Sequence, residues 1–337
     1  MTTRNRPPGF RDVADRAGVS ITTVERVLNE RGSVSPLTRM RVLEAADQTG
    51  LRRVLPDPDF GNVRIEAILP SNPTQYWAKL SSALKDAGKL LPRGMTLHRT
   101  FVPEGDPQAM IRAITQSRMK RSALIVAAHI DVEIEKTLVK AMEQGEILVS
   151  VSTMISGLPA HAFSGIDNEA AGRTAASLIN FGLRNKSGLV LVLQANSTMQ
   201  SHRDRIKGFQ AALKSDSTIE IVVTDELPGA SRKHLYAMFS ANRIPVAIYE
   251  TGDPGDEIAP FLRKLRERPI WIGHERNDMH DALMREGLLD FVLDQDPLRQ
   301  ARWALGHILA RFGIARSNFS TTRKPEMQLF CAANIQA

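Results

Sequence analysis

From Val63 onward, short apolar runs alternate regularly with amphipathic stretches, and this alternation strongly constrains the fold. The apolar runs have the length of buried strands, and the stretches between them have the spacing of helices. Strands separated by helices form βαβ units with parallel sheets and right-handed crossovers. The predicted strands are Arg64–Pro70, Thr96–Val102, Ala123–Ala128, Ile147–Ser152, Leu189–Gln194, Ile219–Val223, Val246–Tyr249, Ile270–Ile272 and Phe291–Leu293. The predicted helices include Trp77–Leu90, Glu169–Leu183, Ser201–Leu213, Asn277–Glu286 and Pro297–Phe312.

The segment 63–337 is large for one open sheet, so we predict an α/β body of two doubly wound parallel-sheet lobes. The facing strand ends of the two lobes would form a cleft for a small ligand. Residues 54–62, VLPDPDFGN, carry two prolines and a glycine, which favours a linker. The expected lobe boundaries are about 63–162 with 292–320 for lobe one, and about 163–291 with 321–337 for lobe two.

Residues 1–53 have a different pattern, which predicts a small all-helical unit. Gly18 would end a first short helix, since glycine tolerates the positive φ of a tight turn. Ser20 can cap a second helix, and Ser35 followed by Pro36 can start a third. The apolar positions expected in its core are Val13, Ala14, Ala17, Val24, Val27, Leu28, Val42, Leu43 and Ala46.

Two short helices joined by a glycine turn can place the second in a DNA major groove. On that helix Ile21 can touch a thymine methyl, Thr22 can reach either kind of base edge, and Arg26 suits guanine or phosphate. The hydroxyl residues suited to holding phosphates are Ser20, Thr23, Ser35 and Thr38. The alternative is a plain three-helix bundle without a ligand.

The charge distribution bears on this choice. Residues 1–53 contain ten arginines, no lysine and six acidic residues, so they carry +4 of the net charge of +7. A basic unit on a nearly balanced body is typical of a nucleic-acid-binding module. A basic, solvated surface explains the charge equally well when the charge is taken alone.

The segment RDVADRAGVSITTVERVLNERGSVSPLTRMRVLEAADQTGL resembles the DNA-binding headpiece of the lactose-repressor (LacI/GalR) family. The family pattern is D-V-A-x-x-A-G-V-S-x-x-T-V-S-R-V-L-N, followed by V-S-x-x-T-R-x-x-V. The resemblance implies base-reading positions at Ile21, Thr22 and Arg26. It implies phosphate-facing positions at Ser20, Thr23, Asn29, Ser35 and Thr38.

The sequence departs from the family pattern at two places. Glu25 stands where serine is usual, and a carboxylate near phosphates lowers affinity unless it pairs with arginine or accepts from a cytosine amino group. With Glu25 on its DNA face, the headpiece resembles an acidic-headpiece subgroup of the family. The usual hinge helix, which enters the minor groove, is replaced by LRRVLPDPDFGN, whose prolines oppose a helix. Arg52 and Arg53 would then lie either on phosphates or in a narrow minor groove, or be exposed in the linker.

The body resembles the type I periplasmic-binding-protein-like domain of the same family. The segments that carry the resemblance are GIDNEAAGRTAASLI (165–179), HRDRIKGFQAAL (202–213), VAIYETGD (246–253), IWIGHERND (270–278) and VLDQDPLRQARWAL (292–305). Many relatives have an acidic ligand residue after the fourth strand, where this chain has Ser152 and Thr153.

The resemblance implies a sugar-like or polyol effector in the cleft. The implied contacts are Arg205, Glu250, Glu275 and Gln295 on one lobe and Ser71, Asn72 and Tyr76 on the other, with Tyr76 or Trp77 for stacking. Alternatively, Arg205 pairs with Asp204 or Glu275. Under this alternative, which assigns no effector contact to these residues, His274 and Glu275 cap a helix and Gln295 is a solvated turn residue.

The motifs of common enzyme classes are missing. The sequence has no G-x-x-x-x-G-K-[ST] phosphate loop, no G-x-S-x-G elbow and no H-E-x-x-H zinc motif, and Cys331 is its only cysteine. We therefore predict no enzyme, no metal and no cofactor. The first ten residues, MTTRNRPPGF, lack an apolar run, and no stretch approaches about 18 apolar residues. A cytoplasmic protein without a membrane partner is expected.

The sequence thus predicts a transcription regulator, a repressor, that binds a near-palindromic operator as a homodimer. A sugar-like or polyol effector in the cleft would control its operator affinity. The alternative is a sugar-binding protein of a transport system without regulatory activity.

Overall fold

The headpiece consists of three helices, α1 (Phe10–Ala17), α2 (Ile21–Leu28) and α3 (Pro36–Gln48). Gly18 has φ 63° and ends α1 in the left-handed region, as predicted for the turn. All nine predicted core positions are buried. The computed structural model describes residues 7–53, 55–56, 61–71, 74–129, 131–184, 187–195, 199–214, 217–223, 230–252, 255–314, 317–319 and 323–335.

Lobe one is built on a parallel sheet with the strand order β2-β1-β3-β4-β5. Its elements are β1 (Val63–Ser71), α4 (Gln75–Gly88), β2 (Met95–Pro103), α5 (Pro107–Thr115), β3 (Ala123–Val126), α6 (Val132–Glu143), β4 (Ile147–Val151) and β5 (Ala162–Ser164). Successive side chains of a strand point to opposite faces. Ile65 therefore packs in the core with Leu80 of α4, whereas Ile68 packs in the core with Met110 of α5 and Ile134 of α6.

Lobe two is built on a six-stranded sheet with the order β11-β10-β9-β8-β6-β7. Its elements are α7 (Asn168–Leu183), β6 (Leu189–Gln194), α8 (Gln200–Ala212), β7 (Thr218–Val223), α9 (Ala230–Ser240), β8 (Ala247–Glu250), α10 (Gly255–Leu262), β9 (Ile270–His274), α11 (Asp278–Glu286), β10 (Phe291–Asp294) and β11 (Gln328–Phe330). Only β11 is antiparallel to its neighbour. Val192 packs with Phe209 of α8, and Leu193 packs with Leu283 of α11, so helices cover both faces.

The predicted fold class is confirmed: a helical headpiece precedes two parallel-sheet lobes. The lobe boundaries differ from the expectation at two places. Ala162–Ser164 pairs with β4 in lobe one, and Phe291–Asp294 pairs with β9 and β11 in lobe two. The chain returns to lobe one only with α12 (Pro297–Arg311), whose Trp303 packs in the α4 core. In the part of the chain that the structure describes, no helix has the length and apolarity needed to cross a membrane.

Candidate functional site

Helix α2 presents one face of the headpiece to solvent. Its apolar residues Val24, Val27 and Leu28 are buried, while Ile21 stays 43% exposed. The other predicted DNA contacts Ser20, Thr22, Glu25, Arg26, Asn29 and Ser35 are exposed, and Thr23 and Thr38 are half-buried. An exposed isoleucine on an otherwise polar helix face is suited to contact with a ligand such as a thymine methyl.

The hydroxyl residues of the headpiece cap two helices. Ser20 accepts a hydrogen bond from the Thr23 backbone N–H at 3.1 Å, and the two hydroxyls lie 2.9 Å apart. Ser35 and Thr38 repeat this arrangement at the start of α3, with distances of 3.2 and 2.9 Å. Each pair therefore first serves to form a helix N-terminus, and such an end favours a nearby anion such as phosphate.

Arg52 and Arg53 are both exposed, as one of the two sequence interpretations expected, and Arg53 in addition contacts the headpiece. Its Nη2 donates to the Leu28 carbonyl at 3.0 Å, and both Nη atoms lie 3.3 Å from Asn29 Oδ1. Its guanidinium also lies 5.7 Å from the centre of the Phe10 ring. The Asn29 side-chain oxygen is therefore already engaged, whereas the side chains of Glu25 and Arg26 make no polar contact among the described residues.

Four predicted effector contacts lie together in one buried polar network between the lobes. The Tyr76 hydroxyl donates to Gln300 Oε1 at 2.8 Å, and Gln300 Nε2 donates to the Gln295 carbonyl at 2.9 Å. Gln295 Nε2 donates to Glu275 Oε1. Glu275 Oε1 in turn lies 3.6 Å from Arg205 Nη2, so the alternative pairing of Arg205 with Glu275 is also present. Tyr76 comes from lobe one, and Arg205 and Glu275 come from lobe two.

Arg205 is only 2% exposed, and neighbouring residues bind its guanidinium. Its Nε donates to Asn168 Oδ1 at 2.9 Å, and its Nη1 donates to the Thr251 carbonyl at 2.5 Å. A buried guanidinium with these partners has a fixed orientation. Burial, followed by the nearby Glu275 carboxylate, raises the pKa of Tyr76, so its phenol stays a neutral donor.

The backbone is strained where strands end at this network. Ser152, Glu275 and Asp296 have φ of 65°, 67° and 51°, although none is glycine. They follow β4, β9 and β10 at the carboxyl edges of the two sheets. Left-handed non-glycine residues cluster at ligand sites, where they set the direction of neighbouring side chains. This strain coincides with the predicted ligand cleft.

Glu250 is linked to this network through His280. It is fully buried at the end of β8, and its Oε1 is 3.4 Å from His280 Nε2. His280 Nδ1 lies 2.9 Å from the Glu275 carbonyl, so His280 joins the two glutamate positions. Nearby, His274 Nε2 lies 2.9 Å from the Tyr249 hydroxyl. Burial, followed by Arg205, lowers the pKa of His274 well below its usual range.

Ser71 and Trp77 face a different surface from the one expected. Both line an open groove of about 470 Å³ between α4 and β2 of lobe one, together with Lys85, Arg99 and Phe101. Trp77 meets Tyr76 edge-on at 4.9 Å, so consecutive residues of α4 point into different sites. Ser71, at the end of β1, is exposed and has no recorded contact with the Tyr76 network. Asn72 lies outside the residues that the structure describes.

Sequence reasoning missed Gln300 and Asn168 as contacts of the cleft, whereas it named Thr153 at the position after the fourth strand. Gln300 and Asn168 belong to the network, and Thr153 lines a cavity of about 320 Å³ with Asn168 and Ser201. Among the described residues, the buried atoms Thr153 Oγ1 and Gln295 Oε1 have no hydrogen-bond partner. Unsatisfied buried polar atoms beside a cavity are suited to a polar ligand. The sequence signal for Thr153 is its position after β4, where many relatives have an acidic ligand residue.

Two family models match the chain. The model described as "Bacterial regulatory proteins, lacI family" matches residues 10–53, and that of the periplasmic binding protein domain matches residues 65–310. The chain has a lacI-family helix-turn-helix headpiece, and over most of its length it belongs to the periplasmic binding protein domain family. The resemblance predicted from its sequence is thereby confirmed. The lacI family and the periplasmic binding proteins are regulators and binding proteins rather than enzymes.

One relative is similar in sequence, and two solved structures are similar in fold. The HTH-type transcriptional regulator DegA of Bacillus subtilis is 23% identical over 208 residues, which cover 60% of this chain and 60% of DegA. The glucose-galactose binding protein GanP of Geobacillus stearothermophilus has a TM-score of 0.68 at 15% identity, over 82% of this chain and 99% of GanP. A Burkholderia graminis solute-binding protein in complex with D-arabinose has a TM-score of 0.69 at 14% identity, over 81% and 96%. These structures show the fold of the body.

Proposed function

We propose that this lacI-family chain is a DNA-binding transcription regulator, a repressor, whose operator affinity is controlled by a neutral sugar or polyol in the inter-lobe cleft. The observation that carries the proposal is the combination of two sites in one chain. Helix α2 exposes Ile21, Thr22 and Arg26, and the body holds a buried polar network between two lobes. Such a regulator acts on DNA, so we place it in the cytoplasm.

The exposed face of α2 supports sequence-specific DNA binding. An arginine without an internal partner can form a bidentate contact with guanine, and Ile21 can contact a thymine methyl. The N-termini of α2 and α3, capped by Ser20 and Ser35, suit phosphates on either side of the groove. Arg53 and Asn29 would then serve to shape the end of α2.

The charges of the cleft support a neutral effector. The guanidinium of Arg205 already lies beside the Glu275 carboxylate, and the carboxylate of Glu250 is buried behind it. A sugar phosphate or sugar acid would add a negative charge to a site in which carboxylates outnumber the guanidinium. Hydroxyl groups can instead use both the donors and the acceptors of Gln295, Thr153 and Asn168.

The edge of lobe one supports a homodimer. Strand β2 is the outermost strand of its sheet, and its Phe101 remains 51% exposed beside the groove that Trp77 lines. An uncovered edge strand with an aromatic side chain is suited to contact with a second copy of the chain. A two-fold dimer would present two headpieces and so bind a near-palindromic operator.

Two measurements test the function. Selection from random-sequence duplex DNA by the purified chain should enrich a near-palindromic site whose affinity falls steeply with salt. A thermal-shift panel of neutral sugars, polyols and sugar phosphates should give stabilisation by a neutral member. Failure to enrich any sequence would contradict the regulator, and stabilisation by sugar phosphates alone would contradict the neutral effector.

A transport sugar-binding protein is the alternative, and it is favoured by the likeness of the body to GanP and the arabinose complex. That likeness concerns the body alone, which regulators and transport proteins share. The lacI-family headpiece at residues 10–53 favours the regulator, since a transport protein has no use for an exposed DNA-reading helix. Sugar binding without any DNA binding would support the alternative.

A further inference from the structure

The headpiece is joined to lobe one by direct polar contacts. Arg93, in the loop before β2, lies 3.3 Å from Asp47 Oδ1 through its Nη1 and donates to the Leu43 carbonyl at 3.3 Å through its Nη2. Both acceptors belong to α3. The contacts lie beside a cavity of about 450 Å³ that residues of the headpiece and of the loop before β2 line together. The loop before β2 thus holds the last part of α3.

A second contact joins the headpiece to the start of lobe one. Glu30, which follows α2, accepts from the Asn62 backbone N–H at 3.1 Å to each carboxylate oxygen. Asn62 directly precedes β1, and Glu30 is itself paired with Arg39 of α3 at 3.3 Å. Two separate points of attachment restrict rotation far more than one point does.

The linker also starts from a fixed position on the headpiece. Arg53 is bonded to the Leu28 carbonyl and to Asn29, and Leu55 is buried in the headpiece core. The chain is therefore anchored before and after the proline-bearing segment. These anchors restrain the linker, in which the sequence replaces the family's usual hinge helix by a proline-bearing segment.

These contacts leave the DNA-reading face of α2 open. Ile21, Thr22 and Arg26 are exposed, whereas the contacts use Glu30 and the last part of α3. They also lie at the amino ends of β1 and β2, the edge of lobe one opposite to the cleft. A headpiece held in this way can bind DNA and follow lobe one when the lobes rearrange.

We propose that the Arg93–Asp47 contact fixes the headpiece on lobe one in the DNA-binding form, so that the two move as one body. The inference rests on the proposed function. Binding by a pre-oriented headpiece costs less orientational freedom than binding by a loosely tethered one, so the contact raises DNA affinity.

The test compares Arg93→Ala with Arg118→Ala in the full chain, on the duplex selected from random sequence. Arg118 is an exposed arginine of the same lobe with no recorded headpiece contact. We expect Arg93→Ala to bind about 3- to 10-fold more weakly, the range of a part-exposed ion pair with an additional hydrogen bond. Arg118→Ala should bind like the wild type. The reversed pair, Arg93→Asp with Asp47→Arg, should recover most of the loss.

A second measurement needs no DNA. Trypsin cleavage after Arg52 and Arg53 should be faster in Arg93→Ala than in Arg118→Ala, because the released headpiece moves away from lobe one. If the wild type binds no DNA, the proposed function fails, while the cleavage rates still report on the contact. If Arg93→Ala binds DNA as well as Arg118→Ala or better, the inference is overturned, whatever the cleavage rates.

Discussion

At the scale of single residues, Arg26 is the side chain on which DNA specificity depends most. It is exposed on α2 and makes no polar contact among the described residues, so its donors are available to a base. We expect Arg26→Ala to weaken binding to the selected operator by about 1–3 kcal/mol, the value of a bidentate guanine contact. Fluorescence anisotropy titration at constant salt measures the change.

Arg31 provides the matched control for this substitution, since it is also an exposed arginine and lies beyond the end of α2. Arg31→Ala should reduce binding to operator and to random DNA by the same factor, as expected for loss of a charge near phosphates. If Arg26→Ala also weakened both equally, Arg26 would be a phosphate contact and not a base contact.

His274 determines part of the acid stability of lobe two. It is fully buried beside Tyr249, and burial lowers its pKa well below the usual value. Above about pH 6.5 the imidazole is neutral in both the folded and the unfolded chain. Below that pH the unfolded chain takes up a proton that the folded chain resists, so the free energy of unfolding falls, by up to about 1.4 kcal/mol per pH unit.

Urea unfolding between pH 7 and pH 5 measures this effect. In His274→Gln the fall in unfolding free energy with acidity should be shallower by about 1 kcal/mol per pH unit, whatever the stability at pH 7. Equal slopes in the wild type and His274→Gln would show that His274 is protonated in the folded protein.

At the scale of elements, the pair α7 and α8 positions Arg205. A Cβ at Gly172 would overlap the Arg205 carbonyl, and one at Gly208 would overlap the Glu169 carbonyl, so the two backbones touch. In an exposed helix a glycine-to-alanine change stabilises by about 0.5–1 kcal/mol. Here Gly208→Ala should destabilise by about 1–3 kcal/mol, because it forces the helices apart and moves Arg205 away from Asn168.

Gly182, near the end of the same α7, is the matched control. Its added Cβ would meet only the flexible end of the Ile270 side chain, which can turn aside. Chemical unfolding of the two variants should therefore separate them by at least about 1 kcal/mol. A neutral or stabilising Gly208→Ala would show that the close approach of α7 and α8 is not needed.

The elements were predictable from the sequence to different degrees. All nine predicted strands are present. Central strands such as β3 and β6 are continuous apolar runs buried between helices, whereas the edge strand β2 is partly exposed along most of its length. Strands β5 and β11 were missed, since each has only three residues, lies at the edge of its sheet and is only partly buried. The sequence placed Ser71 in the cleft from its position after β1, but position alone does not give the direction of a side chain. Gln300 was missed because only tertiary packing brings it to Tyr76, 224 positions away.

At the scale of the whole molecule, the exposed edge of lobe one decides whether two headpieces act together. Phe101 on the edge strand β2 is half exposed beside Arg99, whose guanidinium lies 5.9 Å from the ring centre. In the proposed dimer, Phe101→Asp places a carboxylate in the apolar contact, and the copies should separate. Sedimentation velocity at micromolar concentration measures the loss of the dimer.

Phe181 on α7 is the control, because it is 81% exposed but lies on lobe two. Phe181→Asp should sediment like the wild type. Since two linked headpieces bind two half-sites with a high effective concentration, loss of the dimer should weaken binding to the palindromic site on the order of 10²-fold. Binding to a single half-site should stay within about twofold, because each headpiece is intact. A dimeric Phe101→Asp would place the contact between copies on another surface and leave the headpiece face of α2 unaffected.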